Sequence, residues 1–343
     1  MKVRAGIPVP PQTAPDPIAA VEQMLGHAAR GPILCVGDLM LDRFVVGRVE
    51  RISPEAPIPV LAIEHESTMP GGAGKVVANI RALGGKAHIV AVVGTDAEGL
   101  FLQDLLGPAD LSFVIDPARP TSVKTRFIAN GQQLFRADME LSRPISPKIE
   151  EQVVDEVQKR LRTASMLILS DYGKGVLTDR VIARAIAGAK AQGIPVIVDP
   201  KGADSGRYRG ATAITPNFQD LSDAVGGIGP GNAKLEEAAR GVLAKSGIAS
   251  MFVMVATRGA EGVSAIRMDS AAVHIRGRLR DVVDISGAGD TAVAALALAM
   301  TAGVDLAGCA TLAKLSAAVV IGKAGTATLS PDELRGAVQT AVL

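Results

Sequence analysis

Five short apolar runs that alternate with helical patterns constrain this chain more than any other feature. The runs are Pro32–Val36, His88–Val93, Met166–Ser170, Pro195–Val198 and Met251–Ala256. Runs this short and this continuously apolar suit strands buried on both faces. Between them Ile145, Ile149, Val153, Val157 and Leu161 recur at helical spacing, as do Val181, Ile182, Ala185, Ile186 and Ala189. Sustained strand–helix alternation predicts an α/β fold: a doubly wound, mostly parallel central sheet with helices on both faces. Composition agrees. Apolar residues are 48% of the chain, aromatics only 3% and Trp is absent, so the core must be Ala, Val, Leu and Ile.

Two stretches break the alternation. Residues 43–66 alternate in β fashion about a Ser53-Pro-Glu-Ala-Pro57 turn, and residues 122–138 read as a hairpin around Asn130-Gly131. Neither has helical period, so both are expected to stand apart from the main sheet. Their apolar faces have no helix placed to cover them, which predicts a homodimer through these strands. Residues 1–30, with Pro8, Pro10, Pro11, Pro15 and Pro17, read as a partly disordered tail carrying a short helix at about 18–29. The folded domain is expected over 31–343, with no internal repeat.

Several function classes are disfavoured. Thirty-six Lys and Arg against 35 Asp and Glu leave a net charge of +1, and no polybasic run suggests nucleic acid. The longest apolar stretches, Thr291–Gly303 and Thr311–Gly322, are too short or interrupted to span a bilayer. Cys35 and Cys309 lie far apart without ligand spacing and read as buried thiols of a reducing cytoplasm. No secretory signal is expected. His27, His65, His88 and His274 share no ligand spacing.

The stretch from Asp281 to Thr291 carries the strongest chemical signal. A β-type run, Val282–Ile285, empties into Gly287-Ala288-Gly289, followed by Asp290 and an apolar helix. The free amides of a helix start, backed by its dipole, seat an anion such as a phosphoryl group. A carboxylate at that seat suits a base that takes the proton of an attacking hydroxyl. A glycine-rich turn whose Asp merely caps a helix is the competing reading. Asp38 ends the first buried strand, where open α/β sheets bind ligands, although a solvated turn Asp fits the spacing equally well. Lys124 and Arg126 share one strand face and, with Arg136 and Lys174, could clasp a substrate phosphate; a solvated face is the alternative. Pro70-Gly-Gly-Ala-Gly-Lys75 is not a P-loop, because Met69 and Val76 stand where that pattern needs Gly and Ser or Thr.

The sequence Asp284-Ile-Ser-Gly-Ala-Gly-Asp-Thr291 resembles the second signature of the ribokinase-like (PfkB-type) carbohydrate kinases. The resemblance covers roughly residues 31–340, and it implies that the strands at 43–66 and 122–138 form a small β lid over the sugar, which often also pairs two subunits. It implies that Asp290 is the catalytic base and that Gly287, Ala288 and Gly289 form the anion hole. Asp38 and Asp42, in Gly37-Asp-Leu-Met-Leu-Asp-Arg43, would hold sugar hydroxyls, while Gly71 and Gly72 let the sugar approach a helix start. Asn217-Phe218-Gln219-Asp220 resembles the motif that positions magnesium through water, with Asp for the usual Glu. Lys201 and the Thr257–Gly262 turn, with Gly259 and Gly262, fall where the family holds ATP. ATP and Mg2+ are the implied cofactors, with a monovalent cation allowed. Arg51-Ile-Ser-Pro-Glu-Ala-Pro57 and Asp171-Tyr-Gly-Lys-Gly175 resemble the heptose 7-phosphate kinases, the kinase half of bacterial bifunctional heptose kinase/adenylyltransferases. No adenylyltransferase domain is read in the chain. A kinase for another sugar, or a weakened homologue kept as a binding partner, are the alternatives. Lys75 and Lys314 stand where relatives carry Asn. The expectation is slow turnover that Lys75→Asn would raise, unless both ammonium groups snorkel to solvent.

Overall fold

The alternating runs fold as two sets of strands. The computed structural model describes residues 16–107, 111–257, 260–276, 287–323 and 327–342. Among the described residues, nine strands form the main sheet: β1 (Ile33–Gly37), β4 (Ala87–Val93), β5 (Leu111–Ile115), β8 (Met166–Ser170), β9 (Val196–Asp199), β10 (Ala213–Ile214), β11 (Ser250–Thr257), β12 (Ala260–Arg267) and β13 (Val273–Ile275). Their order is β13-β12-β11-β10-β9-β8-β1-β4-β5. All neighbours from β11 to β5 run parallel, and β12 and β13 add an antiparallel edge.

Strand parity divides the core. Ile33, Cys35, Met166 and Ile168 point into one apolar layer; Leu34, Val36, Leu167 and Leu169 point into the other. The first layer is packed by α1 (Pro17–His27), α2 (Ala73–Ala82), α3 (Ala97–Leu106), α8 (Ala288–Thr301), α9 (Leu306–Ile321) and α10 (Pro331–Val342). The second is packed by α4 (Pro147–Leu161), α5 (Asp179–Ala191), α6 (Phe218–Val225) and α7 (Asn232–Ser246). The apolar positions read at helical spacing in α4 and α5 are the buried ones. Caps fix the helix starts: Asp96, Ser146, Thr178, Asn217 and Asp305 each accept a hydrogen bond from the first turn. α8 is apolar around nearly its whole girth and is buried accordingly. Among the described residues, no helix is long and apolar enough to cross a membrane. Both cysteines are buried and free.

The lid is a separate sheet of four strands, β3-β2-β6-β7, with β2 (Leu39–Ile52), β3 (Pro59–Gly72), β6 (Ser122–Ala129) and β7 (Gln132–Met139). Its two hairpins meet through the parallel pairing of β2 with β6. Asn130 (φ 50°) and Gly131 (φ 77°) make the two-residue turn between β6 and β7, a conformation that Asn-Gly favours. Ile52, Ile58, Ile63, Leu134, Phe135 and Met139 are exposed on the lid, and Phe135 stacks on Phe127 with ring centroids 4.4 Å apart. α2 opens at Ala73, directly behind the Pro70-Gly-Gly run. β3 runs on through Gly72, whose φ of +57° makes the corner.

Candidate active site

A cavity of about 370 Å³ lies between the lid and the carboxyl ends of the central strands. β2 contributes Met40 and Asp42, the lid Lys124, Arg126, Arg136 and Asp138. Glu140 follows the lid, Tyr172 and Lys174 follow β8, Lys201 follows β9, and Gly287 and Asp290 come from the start of α8.

Asp290 is 7% exposed and lies in the first turn of α8. That helix starts at Gly287 (φ +79°) without any side-chain cap, which disposes of the capping reading for Asp290. Its carboxylate accepts a hydrogen bond from the Tyr172 hydroxyl at 2.5 Å. Burial pushes the Asp290 carboxyl up to about 6; the Tyr172 bond opposes this, Asp42 adds to it and Lys75 opposes it. At neutral pH it is therefore largely ionised. Burial, with the Asp290 charge second, pushes Asp199 up to about 8, against a bond from Thr215 Oγ1 at 3.0 Å. Burial also raises the Tyr172 phenol well above its ordinary value, so it stays a donor.

The two early carboxylates divide. Asp38 does not line the cavity. Its oxygens accept from the amides of Tyr172 (2.9 Å), Lys174 (2.9 Å) and Val176 (3.2 Å), so it holds the loop beneath the site in shape. Asp42 does line it, paired with Arg126 at 2.5 Å, and the Arg126 guanidinium lies over the Phe44 ring. Gly71 makes room for that carboxylate: a Cβ there would stand 2.4 Å from Asp42 Oδ2. Gly72 lines the cavity itself.

The four basic residues expected from sequence do converge; Arg126 pairs with Asp42, and the other three are engaged by two carboxylates, Asp138 and Glu140, that sequence reading missed. Lys124 donates to Asp138 (3.0 Å) and Glu140 (2.8 Å), Arg136 to Asp138 (2.8 Å) and Lys174 to Glu140 (2.6 Å). The wall is therefore basic but internally compensated, and an incoming phosphate would exchange partners with Asp138 and Glu140.

Towards the far strands the site loosens. Asn217 caps α6, its Oδ1 accepting from the Asp220 amide at 2.7 Å. Burial raises the Asp220 carboxyl while Lys201 opposes the rise, so Lys201 links the cavity to this turn. Gln219 turns to Asp223 at 2.7 Å. Phe218 and Gly262 line a second cavity of about 620 Å³ with Leu235 and His274, not the first. Thr257 ends β11, and Gly259 lies outside the described residues, as does the run 281–286. Ala288 is buried and Gly289 exposed. Among the described residues, no group of three or more His, Cys, Asp or Glu could hold a metal ion. Asn217 and Asp220 therefore fit a magnesium ion only in the manner that ion favours, through retained waters and substrate phosphates.

The two lysines differ. Lys75 is 1% exposed and lies behind Gly287, so snorkelling is excluded for it. Lys314 is half-buried on α9 and lines neither cavity.

A buried carboxylate at an uncapped helix start, roofed by a β lid at the carboxyl ends of a doubly wound sheet, defines a ribokinase-like sugar kinase. Solved structures share the fold. Phosphofructokinase-2 from Escherichia coli in complex with substrates and products has a TM-score of 0.77, at 20% identity, over 91% of this chain and 100% of that one. Ribokinase from Arabidopsis thaliana complexed with ribose and ATP has a TM-score of 0.68, at 19% identity, over 90% and 99%. The chain belongs to the pfkB family of carbohydrate kinases, which matches residues 32–333. Its curated relatives include the "Bifunctional protein HldE" of Rhodospirillum rubrum, 46% identical over 326 residues, covering 94% of this chain and 65% of the relative. That of Acidiphilium cryptum is 44% identical, covering 95% and 66%. The chain thus spans just under two thirds of the length of these relatives.

Proposed function

We propose that this carbohydrate kinase transfers the γ-phosphoryl group of ATP to the C1 hydroxyl of D-glycero-β-D-manno-heptose 7-phosphate. The product is the 1,7-bisphosphate, on the way to ADP-heptose and lipopolysaccharide core in the cytoplasm. The observation that carries the reading is the position of Asp290: buried at the uncapped start of α8, it faces Lys124, Arg126, Arg136 and Lys174 across one cavity. A sugar lying between them would present a hydroxyl to the carboxylate and its own phosphate to the cations. A neutral sugar would give that basic wall nothing to bind.

The chemistry follows from these positions. Asp42 and the Gly71-Gly72 corner hold the sugar hydroxyls. Asp290 accepts the C1 hydroxyl proton as that oxygen bonds to the γ-phosphorus, and the bond to the ADP oxygen breaks. Amides at Gly287, Ala288 and Gly289 receive the charge of the transferring group. Magnesium, when bound with ATP, neutralises phosphate oxygens, and Asn217 and Asp220 would hold it through water. Lys201 would meet the nucleotide phosphates. A monovalent cation belongs to the same reading; one structural neighbour, phosphofructokinase-2 from Escherichia coli, was solved in complex with potassium.

The test is turnover of Mg-ATP with heptose 7-phosphate, fructose 6-phosphate and ribose in parallel, with the product assigned by phosphorus NMR. The proposal expects a C1 phosphate signal from the heptose at the highest kcat/KM. Preference for another sugar would transfer the mechanism to that substrate. No turnover of any sugar would make the chain a weakened homologue that serves as a binding partner.

A further inference from the structure

Two of the loops that build the site leave neighbouring strands. β8 and β9 pair in parallel through Ser170 and Asp199, and the ladder runs one step further, with the Asp171 amide donating to the Asp199 carbonyl at 2.9 Å. Beyond that step the chains part. The loop after β8 carries Tyr172 and Lys174, the loop after β9 carries Lys201, and all three line the cavity. Once the ladder ends, the spacing of two such loops is set by the side chains that join them.

Tyr208 joins them. It closes a single turn of 3-10 helix, Ser205–Tyr208, a few residues after Lys201, and its side chain is fully buried. The hydroxyl donates to Asp171 Oδ2 at 2.8 Å. Burial, with the Asp171 charge second, raises the phenol well above its ordinary value, so it stays a donor. The other Asp171 oxygen accepts from the Gly173 amide at 2.8 Å, which shapes the turn between Tyr172 and Lys174. At Gly173 itself (φ +68°) the Lys201 side chain lies alongside: a Cβ there would stand 3.6 Å from Lys201 Cγ. Arg207 holds the far end of the same loop, donating to the Leu177 carbonyl at 2.8 Å while its guanidinium lies over the Tyr208 ring. Asp171 is buried and does not line the cavity, so this junction touches neither substrate.

We propose that Tyr208 is a positioning residue for phosphoryl transfer: its bond to Asp171 sets the spacing between the Tyr172–Lys174 loop, which meets the sugar phosphate, and the Lys201 loop, which meets the nucleotide. The inference rests on the proposed function for which ligand meets which loop. In-line transfer needs the attacking oxygen and the γ-phosphorus aligned, and a misplacement of about 1 Å can cost about 10²-fold in rate. Each partner can still bind its own half of the site. Loss of the tie therefore shows in kcat and not in the affinity for either substrate alone.

The experiment compares wild type, Tyr208→Phe and Asp171→Asn. Calorimetry gives the Kd of heptose 7-phosphate and of Mg-AMP-PNP separately, and steady-state turnover with Mg-ATP gives kcat. If wild type prefers another sugar, that sugar replaces the heptose in both assays. Tyr208→Phe should lower kcat about tenfold or more while both Kd values stay within about twofold of wild type. Asp171→Asn keeps an oxygen for the Tyr208 hydroxyl and should retain more of the rate; the reverse order would overturn the proposal. A purely structural role would lower the melting temperature and leave kcat of the folded enzyme in place, which also overturns it, as does a loss of both affinities together. If Tyr208→Phe does not fold, Asp171→Leu removes the same bond from the other side and is judged by the same split; failure of both to fold counts against the proposal. A wild type that turns over no sugar overturns the proposed function, and this inference with it, before any variant is compared, which keeps the two failures distinct.

Discussion

Tyr172 and Asp290, 118 residues apart in sequence, meet in a hydrogen bond of 2.5 Å from phenol to carboxylate. The loop after β8 delivers the donor, the three amide bonds to Asp38 hold that loop in shape, and the start of α8 delivers the acceptor. Removing the hydroxyl leaves a buried carboxylate short of a partner. Tyr172→Phe should lower kcat/KM about tenfold or more, the scale of a hydrogen bond to a charged group. The bond also holds the Asp290 carboxyl down, so the acid limb should shift upward. A pH–rate profile of the variant checks both, and an unchanged profile would detach Tyr172 from the reaction.

Asp199 makes a prediction about stability. Its carboxyl is raised from 3.8 to about 8, chiefly by burial. A carboxyl raised by folding contributes stability that is fully present below its unfolded value and is lost as pH rises through the folded one. The wild-type melting temperature should therefore fall between about pH 4 and pH 8. Asp199→Asn keeps an acceptor for Thr215 and removes the titration. It should melt close to wild type at pH 4 and clearly higher at pH 8 and above. Parallel melting curves across pH decide it.

The lid wall predicts a split between substrates. Lys124 faces the cavity from β6 and is shared by Asp138 and Glu140. Lys124→Met should raise KM for the sugar phosphate about tenfold or more while leaving KM for ATP close to wild type, because a charge-assisted contact to phosphate is lost at one end of the site only. Equal effects on both KM values would mean a general disturbance of the lid.

Much of this was legible in the sequence, and the gaps have physical causes. Five of the seven described parallel strands announced themselves because both of their faces are buried; β5, a partly buried edge strand, and the two-residue β10 did not. β12 and β13 were missed because the Thr257–Gly262 turn, read as a phosphate loop, already contains the start of β12. Distance in sequence hid the site's second half: nothing near Asp290 points to Tyr172, and the hairpin's cations gave no hint of Glu140. Asp38 and Asp42 share one parity with Met40, so spacing alone could not show that Met40 and Asp42 line the cavity while Asp38, at the break between β1 and β2, binds the loop after β8. Lys75 was recognised as out of place, but its burial against Gly287, far along the chain, was not legible.

The exposed lid predicts assembly. Ile52, Ile63, Phe135 and Met139 lie exposed on the four-stranded lid and Ile58 on the turn before β3, apolar surface that a second copy of the lid would cover. Light scattering at micromolar concentration should give a dimer, and Phe135→Asp should give a monomer. A monomeric wild type would refute lid-to-lid pairing.

The central claim is that Asp290 takes the proton of the attacking hydroxyl, and one measurement tests it most directly. Steady-state turnover of Mg-ATP and heptose 7-phosphate by Asp290→Asn should fall by about 10²–10⁴, as for loss of a general base, with ATP affinity and melting temperature held. Turnover near that of wild type would contradict the account.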